Sequence, residues 1–205
     1  MPETATQLTP QSPLAGVRAP GIHGTPGSDG PGVTLREVRD LARVCVMAAA
    51  NDEAALAKAM KDGLGLDLPG PNRTTQDETR LVAFSGVNRY YVMQPKTDGP
   101  TLTAALREAL GSTATLADQS HGMSVLEMAG PAARDILVKC VPIDVEPKHF
   151  AVGDAAVVST NHIHVLFWRT QLDTYRFMCM RGFARDLFEF LATMSAEYGY
   201  RVPAL

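Results

Sequence analysis

Apolar residues recur at regular spacings through most of the chain, and the spacing changes from segment to segment. A run rich in β-branched residues from Leu41 to Ala50 predicts a strand, and Asn51-Asp52 offers an N-cap for a helix that Gly63 ends. The same rules predict two hairpin strands, a second helix and a short strand over 80–85, 90–94, 100–110 and 113–117. The first half therefore mixes strands and helices in an α+β order.

The second half repeats this pattern element by element. Its predicted elements are a strand, a helix, three strands and a final helix, over 123–128, 133–140, 155–159, 163–169, 175–180 and 183–194. Short segments also correspond, for example Leu66-Asp67-Leu68 and Ile143-Asp144-Val145. The pattern predicts an α+β fold of two related βαββαβ-like halves with antiparallel sheets, which share a core or continue one sheet across their junction. We place the halves at residues 34–115 and 116–205.

Residues 1–33 have a different composition, with six Pro, six Gly and few large apolar side chains. Such a segment buries too little surface to offset the ordering of its backbone, which favours a flexible tail. The interspersed Leu14, Val17 and Ile22 favour instead an extended arm that lies along a partner subunit. Both alternatives stay open at this point.

Composition narrows the class of protein. The chain has 205 residues, a net charge of −3 and a pI of about 5.9, which favours neither nucleic acid nor an acidic membrane surface as a partner. No stretch approaches the roughly 18 apolar residues of a membrane span, and the N-terminus lacks the basic and apolar regions of a signal peptide. Cys45, Cys140 and Cys179 each lie in an apolar segment, so we expect reduced core thiols and a cytoplasmic location.

Two histidines, His162 and His164, are the first candidates for a metal site, because a spacing of two residues places both rings on one face of a strand. A zinc site needs three or four ligands, and no cysteine or acidic motif completes the set. We therefore interpret the pair as part of an exposed sheet face or of a contact with a partner.

Asp118, Ser120 and His121 have the residue types of a catalytic triad. A triad depends on three groups in series, and three residues this close on one turn cannot line up in that way. We expect Asp118 and Ser120 to bond nearby backbone N–H groups and to fix a turn.

Asp135, Asp144 and Asp154 could supply carboxylates for acid–base chemistry, but nothing in the sequence pairs them. Glycine-rich runs occur only near the N-terminus, without the strand and the Gly-Lys-Ser/Thr of a nucleotide loop. Trp168-Arg169 ends an apolar strand, and the pair either packs at the edge of the core or anchors an interface. The residues alone thus indicate no catalytic, cofactor-binding or metal-ligating side chain.

One stretch, from Leu116 to Leu191, carries more specific features. These are Asp118-Gln119-Ser120-His121-Gly122, Gly130-Pro131-Ala132-Ala133-Arg134-Asp135, Leu137, Pro142, Asp144, Pro147, Phe150, Gly153 and Trp168-Arg169. In these residues the chain resembles the gamma subunit of heterotetrameric sarcosine oxidase. The opening motif and the Gly-Pro turn are also distantly similar to the folate-binding domain of the glycine-cleavage T-protein, which has an α+β fold with internal duplication.

The resemblance implies a complex of alpha, beta, gamma and delta subunits. Such a complex oxidatively demethylates sarcosine to glycine with O2 and tetrahydrofolate, giving H2O2 and methylene-tetrahydrofolate. The resemblance places FAD and FMN with the beta subunit, NAD and the folate site with alpha, and zinc with delta, so that the gamma chain binds no cofactor. The folate-contacting acid of T-protein-like domains would fall at about Ile163-His164, where no carboxylate stands.

The expected role is therefore that of a structural or assembly subunit without catalytic residues, bound to alpha, beta and delta. Two alternatives accompany it. The chain could be a gamma-type subunit of a related N-methyl amino-acid oxidoreductase, such as N-methylglutamate dehydrogenase, or a free-standing folate-binding one-carbon protein.

Overall fold

The computed structural model describes residues 11–17 and 19–204, and these residues form an α+β body. Its strands are β1 Gly21–His23, β2 Val33–Glu37, β3 Leu41–Ala48, β4 Thr74–Gln76, β5 Leu81–Gly86, β6 Arg89–Pro95, β7 Ala114–Asp118, β8 Met123–Ala129, β9 Ala155–Thr160, β10 Ile163–Gln171, β11 Thr174–Met180 and β12 Tyr200–Val202. Its α-helices are α1 Glu53–Leu64, α2 Gly99–Leu110, α3 Ala133–Cys140 and α4 Ala184–Ser195.

The described strands form two sheets. The five-stranded sheet has the order β4-β5-β6-β3-β7, and the seven-stranded sheet has the order β1-β12-β2-β8-β11-β10-β9. Neighbouring strands are antiparallel, except that β12 and β2 run parallel. Helices α1 and α2 cover one face of the five-stranded sheet, and α3 and α4 cover one face of the seven-stranded sheet. The prediction of an α+β fold with antiparallel sheets is confirmed.

The two remaining sheet faces pack against each other. Side chains alternate between the two faces of a strand, so a strand covered by helices on one face and by the other sheet on the opposite face buries residues on both. The residues between the sheets form a third core, separate from the two under the helices. This third core comprises Leu41, Ala83, Met93, Val125, Ala155, Leu166, Trp168 and Met178. The two halves therefore share a core, as predicted, while their sheets stay separate rather than continuing as one sheet.

The two halves exchange their first strands. β2 precedes β3 in the chain but pairs with β8 of the other sheet, and β7 precedes β8 but pairs with β3. After each exchanged strand both halves have the same order of one strand, one helix, three strands and one helix. The sheets thus take strands from both sides of residue 115, which lies within β7. As a division into domains, the ranges 1–33, 34–115 and 116–205 stay a prediction.

The end of α1 differs from the prediction. Asp52 caps its N-terminus as expected, because the carboxylate accepts a hydrogen bond from the Ala55 N–H (2.9 Å). The prediction that Gly63 ends the helix is wrong: α1 continues past it, and Gly65 closes the helix in the left-handed conformation (φ 69°). A Cβ on Gly63 would lie 2.8 Å from the Ala109 carbonyl oxygen, so this glycine allows α1 to approach α2 closely.

The described part of the N-terminal segment packs against its own chain. Leu14 is 1% exposed and belongs to the core under the seven-stranded sheet. Strand β1 pairs with β12, and the Gly32 N–H donates to the Tyr198 carbonyl oxygen (2.9 Å). Residues 11–17 and 19–33 therefore contact the body of this chain at several points, and the choice between a flexible tail and an arm on a partner stays a prediction. Residues 1–10 lie outside the described residues.

Candidate functional site

The turn between β7 and β8 lies at the junction of the two sheets and holds the predicted turn residues. Asp118 accepts a hydrogen bond from the Ser120 N–H (2.8 Å), and Ser120 Oγ accepts one from the Arg43 N–H (3.0 Å). The Arg43 guanidinium also donates to the Ser120 carbonyl oxygen. His121 is exposed and takes no part in these bonds. The prediction that Asp118 and Ser120 fix a turn is confirmed.

A polar cavity of about 220 Å³ lies beside this turn, where the chain crosses between the sheets. Its charged lining residues are Glu37, Arg39, Asp40, Arg43, Asp98 and Arg181. Three of them are acidic and three basic, so their charges largely cancel and favour neither an anion nor a cation. Burial lowers the pKa of Arg43, and the nearby Glu37 and Asp118 carboxylates partly offset that effect.

The N-terminus of α2 closes one side of the cavity. Asp98 caps this helix by accepting a hydrogen bond from the Thr101 N–H (2.7 Å). The Asp118 carboxylate lies directly against Gly99, where a Cβ atom would not fit. Two carboxylates of the chain itself therefore lie at the positive end of the α2 dipole and neutralise it.

A row of three paired charges, with the buried Glu127 between Arg36 and Arg176, crosses the inner face of the seven-stranded sheet. Glu127 is 6% exposed, and its carboxylate accepts hydrogen bonds from Arg36 Nε (2.6 Å) and Arg176 Nε (2.8 Å). The strand register places the three residues side by side on β2, β8 and β11. Burial alone would raise the pKa of Glu127, but the two guanidinium groups outweigh it and hold this pKa below its usual value.

Trp168 lies beside this row, opposite Arg176 in the register, and is fully buried between the sheets. Arg169, 3% exposed, donates to the carbonyl oxygens of Phe150 (2.7 Å) and Leu172 (3.1 Å). The packing interpretation of Trp168-Arg169 is therefore confirmed, and the interface alternative is wrong because neither side chain reaches the surface. A second cavity of about 330 Å³ has Trp168 in its lining, and the indole N–H has no acceptor among the described residues.

The two histidines do not share a strand face. Asn161 and His162 have positive φ angles (47° and 65°) and form the tight turn between β9 and β10. The strand begins at Ile163, so the predicted pairing of His162 and His164 on one face is wrong, although both residues are exposed. Within residues 11–17 and 19–204, no three His, Cys, Asp or Glu side chains cluster as a metal site requires.

The three aspartates considered for acid–base chemistry have other partners. Asp154 forms an ion pair with Arg73, Asp144 contacts His149, and Asp135 lies in the first turn of α3. Asp144 and Asp154 line one open groove of about 510 Å³, but each is already engaged with its own partner there. Sequence reasoning missed both partners. Arg73 meets Asp154 only through the contact between the two halves, whereas His149 lies five residues from Asp144 in the same loop.

The three cysteines are free thiols and all are buried. Burial raises the pKa of Cys140 and of Cys179 to about 12, and it also raises the pKa of Cys45. A thiol of this kind is a poor nucleophile and a poor metal ligand at neutral pH. The prediction of reduced core thiols is confirmed.

The fold and the buried contacts described above define a duplicated, T-protein-like α+β protein. Its fold resembles the glycine cleavage system aminomethyltransferase T from Bartonella henselae, with a TM-score of 0.61 and 12% identity, over 91% of this chain and 56% of that chain. At this identity the likeness shows the fold alone. None of the helices in the described ranges has the length and apolar character to cross a membrane.

More specific comparisons identify the family. The model of the "Sarcosine oxidase, gamma subunit family" matches residues 48–197, and this chain belongs to that family. Sarcosine oxidase subunit gamma from Corynebacterium sp. (strain P-1) is 30% identical over 196 residues, covering 95% of this chain and 93% of that protein. The solved heterotetrameric sarcosine oxidase from Corynebacterium sp. U-96 contains a chain that matches with a TM-score of 0.78 and 29% identity, over 92% of this chain and 96% of that chain. The resemblance in residues 116–191 is confirmed and extends into the first half.

Proposed function

We propose that this chain is the gamma subunit of a heterotetrameric sarcosine oxidase and that it acts by binding the other subunits. The observation that carries the proposal is the near-complete match to the relatives. The strain P-1 gamma subunit matches over 95% of this chain and 93% of its own length. A chain of the U-96 heterotetramer matches over 92% of this chain and 96% of that chain. A match of this extent supports a shared place in an assembly of the same kind.

The proposed complex contains alpha, beta and delta subunits beside this chain. It oxidatively demethylates sarcosine to glycine with O2 and tetrahydrofolate, giving H2O2 and methylene-tetrahydrofolate. In this proposal FAD, FMN, NAD, tetrahydrofolate and zinc all belong to the other subunits, and this chain has no catalytic residue.

Features of the interior support a binding role for this chain. The buried Glu127 carboxylate is neutralised by Arg36 and Arg176 and so is not poised toward a ligand. At the place expected for a folate-contacting acid the chain has Ile163, which is 6% exposed in the core, and the exposed His164.

Co-expression with the alpha, beta and delta subunits from the same source tests the proposal. An affinity tag on this chain should recover all four chains in equal amounts, with flavin absorbance and sarcosine-dependent H2O2 production. Omission of this chain should lower the yield of assembled complex. Recovery of this chain as a lone monomer in the presence of the other three would contradict the proposal.

A titration separates the proposal from a free-standing folate-binding protein. Titration calorimetry with tetrahydrofolate should show no saturable binding to this chain alone and clear binding to the complete complex. Binding at micromolar concentration to this chain alone would assign the folate site to it and overturn the cofactor part of the proposal.

A further inference from the structure

The two halves differ at one edge of their sheets. In the seven-stranded sheet, the exchanged strand β2 is followed by β12 and β1, so it lies inside the sheet. In the five-stranded sheet, the exchanged strand β7 is the last strand among the described residues. The two strands also have related sequences, Val-Thr-Leu-Arg-Glu for β2 and Ala-Thr-Leu-Ala-Asp for β7.

On β2, the backbone N–H and C=O groups that face away from β8 face β12, which pairs with β2. The Val38 N–H just beyond the strand donates to the Val125 carbonyl oxygen of β8 (2.8 Å). Because the backbone groups of successive residues point to opposite sides of a strand, Val33 and Leu35 point toward β12. The register agrees, since Val33 is aligned with Tyr200 of β12.

On β7, the equivalent backbone groups face an open edge. The Gln119 N–H just beyond the strand donates to the Arg43 carbonyl oxygen of β3 (2.8 Å). By the same alternation, Thr115 and Ala117 bond β3, while Ala114 and Leu116 direct their N–H and C=O groups away from it. No other strand of residues 11–17 and 19–204 pairs with these groups.

The side chains of β2 and β7 correspond in the same way as their backbone groups do. Leu35 of β2 is 2% exposed in a core that Val202 of β12 completes. Leu116 occupies the corresponding position of β7, packs against the core of the five-stranded sheet, and is only half-buried. Beside it, the described residues contain no counterpart of Val202.

The open edge also lacks the features that usually keep strands from adding to a sheet. Such features are lysines, prolines and bulges, and the first four residues of β7 contain none of them and no charge. The opposite edges of the two sheets, β4 and β9, partly close each other instead. There the Thr74 N–H donates to the Gly153 carbonyl oxygen (2.7 Å) and the Ala155 N–H to the Asn72 carbonyl oxygen (2.9 Å).

We propose that β7 receives an extended segment of another subunit, which runs parallel to β7 and extends the five-stranded sheet as β12 extends the seven-stranded sheet. The inference rests on the proposed function, because an assembly must supply the segment. The segment bonds the outward N–H and C=O groups of Ala114 and Leu116. It carries an apolar side chain toward the helix-covered face, at the place that corresponds to Val202.

Three variants test the inference in the co-expressed complex. Leu116→Pro removes an outward N–H, and it leaves the bonds to β3 intact because proline is tolerated where the N–H faces away from the sheet. Leu116→Ala keeps that N–H and shortens the side chain, so it controls for packing. Val157→Pro places proline at an outward-facing position of β9, the edge strand of the other sheet, and is the matched edge control.

We expect Leu116→Pro to weaken retention of this chain by the other subunits about tenfold, because the partner segment loses a hydrogen bond and buries an unpaired carbonyl. Leu116→Ala and Val157→Pro should change retention less than about threefold. The inference is overturned if Leu116→Pro assembles like the unmodified chain, or if either control weakens assembly as strongly. Failure of the unmodified chain to assemble would instead refute the proposed function and remove the basis of this inference.

Hydrogen exchange gives a readout that does not depend on a variant. In the assembled complex, the Leu116 amide should be protected to a similar degree as the Ala117 amide, which bonds β3. Rapid exchange of Leu116 beside a protected Ala117 would show an open edge and overturn the inference.

Discussion

The buried carboxylate of Glu127 provides the most direct test of how the seven-stranded sheet is held together. Glutamine at this position keeps the size of the side chain but removes its charge. Glu127 accepts one bond from Arg36 (2.6 Å) and one from Arg176 (2.8 Å). Glutamine can satisfy one guanidinium through its oxygen, and its NH2 group then faces the other guanidinium, donor against donor.

The expected loss of stability in Glu127→Gln follows from these contacts. A hydrogen bond to a charged group contributes about 1.5–3 kcal/mol, and breaking a buried ion pair costs about 3–5 kcal/mol. The Glu127 side chain is 7% exposed, whereas that of Arg36 is 45% exposed, so solvent screens part of this pair. We therefore expect Glu127→Gln to lower the free energy of unfolding by about 2–4 kcal/mol at pH 7.

The effect should depend on pH in a defined direction. The folded state holds the pKa of Glu127 below its usual value of 4.5. The stabilisation is therefore fully present above about pH 4.5 and is lost as the pH falls through the lower pKa of the folded state. The unmodified chain and Glu127→Gln should thus converge in stability as the pH falls below the pKa that Glu127 has in the folded state.

Urea denaturation monitored by circular dichroism at pH 7 and at low pH measures this difference. Glu189→Gln is the matched control, because Glu189 pairs with Arg185 on an exposed helix face and such pairs contribute about 0.3–0.5 kcal/mol. A loss below about 1 kcal/mol for Glu127→Gln, or an equal loss at both pH values, would refute the reasoning.

Other predictions follow from the same structure. Gly63→Ala should lower the free energy of unfolding by about 1–3 kcal/mol, because the new Cβ meets the α2 backbone. Gly182→Ala, where nothing lies within 4 Å of the new Cβ, should be nearly neutral. Thermal denaturation compares the two variants, and a stabilised Gly63→Ala would contradict the close approach of α1 to α2. Cys140 and Cys179, each with a pKa raised to about 12, should react with a thiol reagent at pH 8 only after unfolding, and rapid labelling of the folded chain would show that they are accessible. The single tryptophan, Trp168, should fluoresce at short wavelength and resist quenching by acrylamide, while a solvent-like emission would exclude its burial between the sheets.

The long, regular elements could be predicted from the sequence because local spacing determines them. The stripe of α2 and the runs of β10 and β11 lie where the pattern places them, since each combines a strong period with a clear capping or turn residue. Gly63 shows the limit of this reasoning. A glycine that permits close helix packing and a glycine that ends a helix look alike in one sequence, and only the position of α2 distinguishes them.

The interior chemistry could be predicted only in part. Asp118 and Ser120 bond groups within a few residues or across one strand pair, so their turn could be inferred from residue type. Glu127 was missed, because its buried charge is explained only by Arg36 and Arg176 on two other strands. Such a row depends on the sheet register, which a period of two along each strand does not specify.

The exchange of β2 and β7 shows why an internal duplication is easier to detect than its consequences. Leu35 and Leu116 are the same residue type in the same local pattern, yet one is buried and the other half-buried. The difference comes from the neighbouring strand, which the terminal segments within residues 11–17 and 19–204 supply in only one of the two sheets. These segments are short and one is rich in glycine and proline, so their strand-forming role has little local signal. The asymmetry that leaves β7 at a sheet edge among the described residues is therefore a tertiary property. In the assembly we propose, this edge is the place where a second chain supplies the strand that β12 supplies to β2.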